Sequence, residues 1–427
     1  MSYGDSVRFL YSLGNELKVG AKWGLERMQA LLDALGHPES GQHFIHVAGT
    51  NGKGSTCAMI ASVLTEAGYR TGLYTSPHLI EPTERIQING QPVSDREFAA
   101  AFDTVHRAAE DLLRIDGIDG HPSYFETVTA MAFLIFRERC QMGVIEVGLG
   151  GRLDATNVIR PELCVITPIS FDHESFLGNS LALIAGEKAG ILKPNVPLIL
   201  SRQSAPAQAA IEQRAAELHV PITAAADVQL SNVKLTPHGC FFEIEGVPYA
   251  CPLPGRHQIE NAVTAVKACQ HLGIPVRAIQ GGLEKTRWPG RLEYVSHGPD
   301  FVLDGAHNPA GAAALADYIR EFCAARPVWM VCGAMRDKAI EEVAGQLFPL
   351  ADRLILTAPH FPRALRPEAI AEIAPHPNTT ITQSIGEAIA LAGNAPKDAL
   401  VFFTGSLFVV GEARAALTPT TRTMKNS

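Results

Sequence analysis

The sequence predicts an α/β fold with two domains, and three observations support it. Apolar runs of four to seven residues alternate with stretches of helical periodicity over most of the chain, a pattern typical of largely parallel sheets covered by helices. A glycine-rich segment lies between one such strand pattern and a helix. The chain has 427 residues, more than one compact core usually serves, so two domains are expected.

The earliest clear strand and helix flank the glycine-rich segment HVAGTNGKGSTC. The run HFIHVA indicates a strand that leads into this segment. After it, apolar residues recur at helical spacing until Gly68 ends the helix, namely Cys57, Ile60, Val63, Leu64 and Ala67. A glycine-rich loop between a strand and a helix is the position that a phosphate-binding loop requires.

Two further apolar runs, GVIEVG at 143–148 and LCVITPI at 163–169, indicate buried parallel strands. The first contains Glu146, and the Asp172-His173 pair comes just after the second. Ligands of open α/β sheets gather at the carboxyl ends of the strands. We therefore expect these side chains to lie near the glycine-rich loop.

The pattern changes between about Val220 and Pro254, where alternating residues and turns predict a small antiparallel patch. A helix is expected over 258–272, and the Gly- and Pro-rich segment 286–300 is the best candidate for a hinge. The runs FVLDGAH, PVWMVCGAM, DRLILTAPH and ALVFFTGS then predict a second α/β series of about 130 residues, with Pro309 in the first turn of a helix. The expected division is an N-terminal domain at 1–288, a hinge at 289–298 and a doubly wound, Rossmann-like C-terminal domain at 299–427.

Composition excludes several classes of protein. The net charge is −8 and no basic cluster offers a surface for nucleic acid or anionic lipid, so neither is expected as a partner. The N-terminus lacks a signal-peptide pattern, and no apolar run is long enough to span a bilayer, which favours a cytoplasmic protein. The eight cysteines are widely spaced and without a C-x-x-C pair, as expected for buried thiols in a reducing compartment.

The glycine-rich loop predicts nucleotide binding by a P-loop ATPase-type domain. Backbone N–H groups from Thr50 to Ser55 and the helix N-terminus can bind a polyphosphate, and Lys53 can reach its terminal phosphates. A plain glycine turn is the alternative, and the loop alone does not choose ATP over GTP. The loop residues are Gly49, Thr50, Asn51, Gly52, Lys53, Gly54, Ser55 and Thr56.

Gly54 occupies the place where such loops normally have the Ser or Thr that binds Mg²⁺, so the oxygen ligands must come from Ser55 or from another segment. Glu146 is a carboxylate in an apolar strand, which favours a nearby metal ion or cation. An ion pair with Arg152 is its structural alternative. His173 is either a metal ligand or an ordinary loop histidine.

Seven motifs carry a resemblance to a known family. They are GTNGKGS, TSPHL with ERIQING, IEVGLGGRLDATN, DHESFLG, IAGEKAGILK, WPGRLE and DGAHNP. Together they resemble the folylpolyglutamate synthases, and especially the bacterial bifunctional dihydrofolate synthase/folylpolyglutamate synthases, which are Mur-type ligases. The resemblance covers nearly the whole chain in the expected order, and IEVGLGGRLDATN is its most specific motif.

The resemblance implies two Mg²⁺ ions. It assigns one ion, bridging the β- and γ-phosphates of ATP, to Ser76 and Glu146, so that the missing hydroxyl comes from another loop. It assigns the second to Glu146, His173 and a carbamylated Lys188. Addition of CO₂ turns a lysine that Mg²⁺ would repel into an anionic oxygen ligand. Without the resemblance, a helix surface lysine is the simpler interpretation of Lys188.

The resemblance also implies binding residues for ATP and the substrates. Asn261, Arg291, Asp304 and His307 match family positions that contact ATP or line a cleft that closes around the nucleotide. The incoming glutamate is assigned to Arg85, His307 and Ser406, and the folate side, in segments 75–90 and 122–128, to Ser123, Phe125 and Asp154. Phe125 could stack on a pterin ring, with a core position as the alternative. The family often has an acidic residue where this chain has Ala339, so for Asp337 and Lys338 only proximity to the cleft is expected.

The implied reaction is ATP-dependent addition of L-glutamate to dihydropteroate and to the γ-carboxylate of reduced folates through an acyl phosphate, with Lys53, Lys188 and His307 as catalytic residues. A monomer is expected. The alternatives are a ligase with only one of the two activities, a peptidoglycan Mur-type ligase, a P-loop kinase and a non-catalytic ATP-binding scaffold.

Overall fold

The computed structural model describes residues 1–14, 24–115, 117–296, 298–336 and 339–418. The chain divides into two compact units, and each is discontinuous in sequence. The first consists of Met1–Ile169, Leu177–Gln229 and Glu260–Thr286, and the second of Ser170–Phe176, Leu230–Ile259 and Arg287–Ser427. Among the described residues, no helix is both long enough and apolar enough to cross a membrane.

The sheet of the first unit has eight strands. They are β1 (His43–Ala48), β2 (Thr71–Tyr74), β3 (Ile86–Ile88), β4 (Gln91–Pro92), β5 (Met142–Glu146), β6 (Leu163–Ile166), β7 (Leu198–Leu200) and β8 (Ile222–Ala224). Their order is β4-β3-β2-β5-β1-β6-β7-β8. Strands β2, β5, β1, β6, β7 and β8 run parallel, and β3 and β4 add an antiparallel edge. The carboxyl ends of β2, β5, β1 and β6 are therefore neighbours at one edge of the sheet.

The second unit has two sheets. Its strands are β9 (Leu230–Thr236), β10 (Gly239–Ile244), β11 (Val247–Cys251), β12 (Glu293–Ser296), β13 (Asp300–Leu303), β14 (Val328–Cys332), β15 (Arg353–Leu356), β16 (Thr379–Ile381) and β17 (Leu400–Thr404). Strands β9 to β11 form an antiparallel sheet, and the other six form a sheet in the order β12-β13-β17-β14-β15-β16. In the six-stranded sheet only the β12–β13 pair is antiparallel.

Helices connect these strands. They are α1 (Tyr3–Ser12), α2 (Glu26–Ala34), α3 (Lys53–Glu66), α4 (Asp95–Arg114), α5 (Tyr124–Arg139), α6 (Glu174–Leu177), α7 (Leu181–Ala189), α8 (Ala205–Glu217), α9 (Arg256–His271), α10 (Val276–Lys285), α11 (Pro309–Phe322), α12 (Ile340–Leu347), α13 (Pro367–Ile373), α14 (Ile385–Ala392) and α15 (Leu407–Leu417). Short 3₁₀ helices span Pro82–Arg85, Ala155–Val158, Ala225–Asp227 and Phe348–Leu350.

Local sequence signals explain where several helices begin. Helices α4 and α5 start with capping boxes, in which Ser94 pairs with Glu97 and Ser123 with Glu126. Pro309 occupies the first turn of α11, as predicted, where a missing N–H has no intrahelical role. Each unit has its own apolar core, built on the faces of its large sheet.

The predicted α/β class is confirmed, with a mostly parallel sheet in the first unit and a doubly wound sheet in the second. One detail of the antiparallel patch was wrong. The prediction began it near Val220, but Ile222–Ala224 is a parallel edge strand, β8, and the antiparallel sheet starts at Leu230. Three-residue strands give too short a pattern to distinguish parallel from antiparallel pairing. The predicted domain bounds, 1–288, 289–298 and 299–427, stay a proposal, and the compact units differ from them at 170–176 and 230–259.

Helices α3 and α10 approach so closely that a side chain at Gly282 has no room. A Cβ atom there would lie 2.3 Å from the Cα of Val63, whereas at the neighbouring Gly281 it would meet only the carboxylate of Glu66, at 3.0 Å. We expect Gly282→Ala to lower the free energy of unfolding by about 1–3 kcal/mol, because two backbones must separate. Gly281→Ala should instead raise it by about 0.5–1 kcal/mol through helix propensity. Urea denaturation checks both, and equal effects would contradict the close approach.

Candidate active site

The glycine-rich loop joins β1 to α3, and two of its glycines are required by geometry. Gly49 has a φ of 148°, and a Cβ atom there would lie 1.9 Å from the Oγ1 of Thr167. Gly52 has a φ of 85° at the start of α3, and its Cβ would lie 2.2 Å from the Oδ1 of Asn261. Both positions exclude a side chain by backbone conformation and by close approach.

The N–H groups of the loop divide into two sets. Those of Thr50 and Asn51 donate to the carbonyl of Pro168, at 3.0 and 3.2 Å, so in this conformation they hold the loop against the segment after β6. Helix α3 begins at Lys53, and the first N–H groups of a helix have no partner within it. The amino end of α3 is therefore the part of the loop that is suited to an anion.

The side chains of the loop lie close to that helix start. The ammonium of Lys53 donates to the carbonyl of Thr50 at 3.3 Å. Gly54, which follows Lys53, is half-buried, and Ser55 and Thr56 are buried. The Oγ1 of Thr56 has no hydrogen-bond partner among the described residues. A lysine and two hydroxyl groups thus follow the glycine turn within one turn of helix.

Glu146 and Ser76 meet at the carboxyl ends of the adjacent strands β5 and β2. The side chain of Glu146 is only 4% exposed, and its carboxylate accepts a hydrogen bond from the N–H of Ser76 at 3.2 Å. Arg152, the cation considered as a structural partner for Glu146, pairs instead with Glu187 at 3.0 Å. The two residues predicted to share one Mg²⁺ are therefore neighbours.

Lys188, in the last turn of α7, reaches the glycine-rich loop. Its side chain is 4% exposed, and its ammonium donates to the carbonyl of Gly49 at 2.7 Å. This burial excludes the surface-lysine alternative.

In the second unit, His307 and Asn308 both approach the carboxylate of Asp172. The Nδ1 of His307 lies 2.7 Å from the carbonyl of Gly305, and its Nε2 lies 3.7 Å from the carboxylate of Asp172. The amide of Asn308 donates to the same carboxylate at 3.2 Å while its oxygen caps α11. His173 follows Asp172 in a left-handed conformation, with a φ of 53°, and its ring nitrogen is 3.8 Å from that carboxylate.

Asp304 and Arg291 lie near this group in sequence and are part of the same unit. The buried carboxylate of Asp304 accepts the N–H groups of Leu292 and Ala306, each at 3.0 Å. Burial raises the pKa of Asp304, and the Arg291 guanidinium and these hydrogen bonds oppose that shift. Arg291 itself donates to the carbonyl of Gly290 at 2.9 Å.

Arg85 is held by a histidine and an aromatic ring. Its Nε donates to the Nδ1 of His78 at 2.9 Å, and its guanidinium lies 4.8 Å from the centre of the Tyr124 ring. Burial, with a contribution from Arg85, lowers the pKa of His78 to about 3, so that ring is a neutral acceptor. The terminal guanidinium nitrogens of Arg85 are suited to a carboxylate.

The other predicted substrate residues have structural tasks. Ser123 and Ser406 cap α5 and α15. Phe125 is 5% exposed and packs against Gly148, which agrees with the core alternative. The buried Asp154 accepts the N–H of Leu149 at 2.9 Å, and burial raises its pKa despite its hydrogen bonds. Asp337 and Lys338 lie outside the described residues.

Two known domain families match most of the chain. The family of the Mur ligase middle domain matches residues 47–269, and that of the Mur ligase, glutamate ligase domain matches residues 290–407. The dihydrofolate synthase/folylpolyglutamate synthase of Bacillus subtilis (strain 168) is 37% identical over 431 residues, which cover 97% of this chain and 99% of that protein. The chain belongs to the dihydrofolate synthase/folylpolyglutamate synthase family.

Solved members of the dihydrofolate synthase/folylpolyglutamate synthase family share the whole fold. The Mycobacterium tuberculosis folylpolyglutamate synthase complexed with ADP has a TM-score of 0.90 and 31% identity, covering 97% of this chain and 98% of that one. Escherichia coli FolC in complex with DHPP and ADP has a TM-score of 0.86 and 29% identity, covering 97% of each chain. The predicted family, fold and enzyme class are confirmed: the chain is an ATP-dependent ligase of this family.

Sequence reasoning missed several residues around the predicted site. Asp172 and Asn308 were known only as neighbours of His173 and His307, and their contact with each other was not expected. The signal was present in DHESFLG and DGAHNP, where each histidine adjoins a second hydrogen-bonding side chain. His78 and Tyr124 lie within the predicted segments 75–90 and 122–128, but no local pattern indicates that both contact Arg85.

Proposed function

We propose that this protein adds L-glutamate to dihydropteroate and to the γ-carboxylate of reduced folates, with ATP as the phosphoryl donor. The observation that carries the proposal is the group at the carboxyl edge of the first sheet. There the carboxylate of Glu146 accepts the N–H of Ser76, and the ammonium of Lys188 binds the carbonyl of Gly49. A carboxylate and a lysine are thus buried within reach of a loop of the phosphate-binding type.

ATP is the expected nucleotide because both solved relatives carry ADP. The amino end of α3 provides a favourable dipole for phosphate. Lys53, at the first position of that helix, is placed to reach the terminal phosphates. These features support binding of the phosphates through the loop residues 49–56.

The residues at the sheet edge fit Mg²⁺, which prefers hard oxygen donors. Glu146 supplies a buried carboxylate and Ser76 a hydroxyl, and we propose that they hold one ion. A second ion is proposed for Glu146, His173 and a carboxylated Lys188. When bound, these ions neutralise the charge that develops on the transferred phosphoryl group. Mass spectrometry under CO₂ should detect one added CO₂ on Lys188, and an unmodified Lys188 in the active enzyme would contradict that part of the proposal.

The reaction must first activate a carboxylate, whose delocalised charge makes it a poor electrophile. Transfer of the γ-phosphoryl group of ATP gives an acyl phosphate, and the glutamate amine then attacks the acyl carbon and displaces phosphate. Lys53 neutralises charge during the first step, and we assign the glutamate carboxylates to the guanidinium of Arg85 and to the hydroxyl of Ser406.

His307 is proposed to accept the proton of the attacking amine. A carbonyl only accepts hydrogen bonds, so the contact with Gly305 gives Nδ1 the hydrogen and leaves the lone pair of the neutral ring on Nε2. The carboxylate of Asp172, 3.7 Å from Nε2, then stabilises the imidazolium that forms.

The test is phosphate release by the purified protein with ATP, Mg²⁺ and L-glutamate, run in parallel with dihydropteroate and with tetrahydrofolate. Product masses should show one added glutamate in both reactions. Turnover of only one acceptor would leave a single-activity ligase, the second candidate. Turnover of neither would refute the proposed substrates.

A cytoplasmic, monomeric enzyme is the remaining part of the proposal. All eight cysteines are free, and all but Cys140 are buried, which agrees with a reducing compartment. Sedimentation of the purified protein tests the monomer, and a stable dimer would contradict it.

A further inference from the structure

Two histidines and a glutamate converge in the first unit, directly before the segment 122–128 that is predicted for the folate side. His106 and Glu110 are four residues apart on α4 and therefore share one face of that helix. His121 precedes α5. One ligand atom from each side chain lies within 4.8 Å of the other two. Nothing in the proposed reaction uses these side chains.

Two ring nitrogens in this cluster are buried without a hydrogen-bond partner: the Nδ1 of His106 and the Nε2 of His121. Buried polar atoms are nearly always paired, so two unpaired nitrogens in one place need an explanation. The Nδ1 of His121 lies 2.9 Å from the carbonyl of Pro122, so it carries the hydrogen. The unpaired Nε2 therefore has its lone pair available to a ligand.

Neighbouring aromatic side chains hold both rings in place. Phe9 packs against both histidines, with ring centres 4.6 Å from His106 and 5.3 Å from His121, and Phe102 stacks on His106. Glu110 is 42% exposed and can rotate, and its carboxylate is 4.0 Å from the Nε2 of His121.

We propose that His106, Glu110 and His121 bind a first-row transition-metal ion such as Zn²⁺. Two imidazoles and one carboxylate are a donor set that suits Zn²⁺, Co²⁺ or Ni²⁺ and disfavours Mg²⁺, which prefers oxygen. Zn²⁺ binds its ligands at about 2.0–2.2 Å, so the three atoms must close in by roughly 1 Å, and the rotation of Glu110 allows this. Water would complete the coordination shell.

The position of the cluster indicates a structural role. Its ligands join α4 to the segment directly before α5, where Pro122 accepts the hydrogen bond of His121 and Ser123 caps the helix. A bound ion would therefore connect α4 directly to the segment before α5. We therefore expect the metal to raise the thermal stability of the first unit.

The experiment is calorimetric titration of the metal-free, full-length protein with Zn²⁺ in excess Mg²⁺, with Co²⁺ absorption reporting the geometry of the site. His106→Gln and His121→Gln should each weaken one Zn²⁺ equivalent at least about tenfold, since even the loss of a group that only orients a ligand costs about that much. They should also abolish the intense visible bands of four-coordinate Co²⁺ and the Zn²⁺-induced rise in Tm.

His37→Gln is the matched control, because His37 also adjoins two carboxylates, Asp33 and Glu39, but is exposed. It should bind Zn²⁺ as the wild type does. Zn²⁺ held elsewhere would persist in all variants and is subtracted. If a histidine variant fails to fold, Zn²⁺ binding can be compared instead between the wild type and Glu110→Gln, because Glu110 is more exposed than His121. The proposed metal site would be refuted if the folded cluster variants kept the Zn²⁺ affinity, the Zn²⁺ stoichiometry and the Co²⁺ spectrum of the wild type.

Discussion

Replacement of Glu146 with alanine is expected to lower glutamate-dependent phosphate release by about 10²–10³-fold, the usual cost of removing one group that stabilises transition-state charge. The carboxylate of Glu146 is buried where β5 ends, beside the N–H of Ser76. Without it, the proposed Mg²⁺ would lose an anionic ligand, and the charge on the transferred phosphoryl group would be less completely neutralised. The rate is measured over a range of Mg²⁺ concentrations, and the variant should need more Mg²⁺ even for its residual turnover.

Glu146→Gln separates this effect from a loss of structure. The alanine variant leaves the half-buried N–H of Ser76 without this acceptor, which costs about 1 kcal/mol of stability. Glutamine retains a carbonyl oxygen for that hydrogen bond but has no charge, so we expect near-native stability and the same loss of turnover. Glu162→Gln is the control for a glutamate that is exposed and pairs only with His43 among the contacts described. Wild-type Mg²⁺ dependence in Glu146→Gln would refute the metal assignment.

The predictable parts of the site are those that depend on residues close together in sequence. Apolar periodicity predicts the strand before the loop and the helix after it. The positive φ at Gly52 explains why a glycine is found there. The position of Glu146 at a strand end also follows from a short apolar run. These features depend on neighbours a few residues apart, so one chain segment contains the whole signal.

The contacts that complete the site join distant segments, and no local pattern contains them. Lys188 lies 139 residues from the carbonyl of Gly49 that it binds. The N–H groups of Thr50 and Asn51 donate to Pro168, a partner set by the pairing of β6 beside β1. Strand order decides which loops become neighbours. Periodicity did not predict that Lys188 lies near the glycine-rich loop, and only the resemblance to a family placed it in the site.

Residue type alone was least informative for aromatic and histidine side chains. Phe125 fits both a pterin platform and a core in sequence, and its burial and its contact with Gly148 became apparent only in the structure. His106 and His121 are ordinary residues of a helix and a loop in sequence. Their approach depends on how α4 packs beside the start of α5, a tertiary relation that spacing does not encode.

Gly52→Ala is expected to lower ATP-dependent turnover by about 10²-fold, the scale of a displacement of roughly 1 Å in a group that positions a substrate. The new Cβ would lie 2.2 Å from the Oδ1 of Asn261, which is buried and has little room to move. Either the loop or Asn261 must shift, and both are assigned to ATP. The change should appear as a higher KM for ATP together with a lower kcat, measured by steady-state kinetics.

Gly68→Ala is the matched control at the other end of α3. Its φ is 92°, close to that of Gly52, but a Cβ there meets nothing within 4 Å. Both substitutions therefore cost about 1–2 kcal/mol of backbone strain, and only Gly52→Ala adds a clash with Asn261. If the clash is the cause, Gly52→Ala combined with Asn261→Ala should be no less active than Asn261→Ala alone, because the obstructing amide is gone. An additive loss in that double variant would show instead that the conformation of Gly52 itself, rather than its approach to Asn261, holds the loop in the form that binds phosphate.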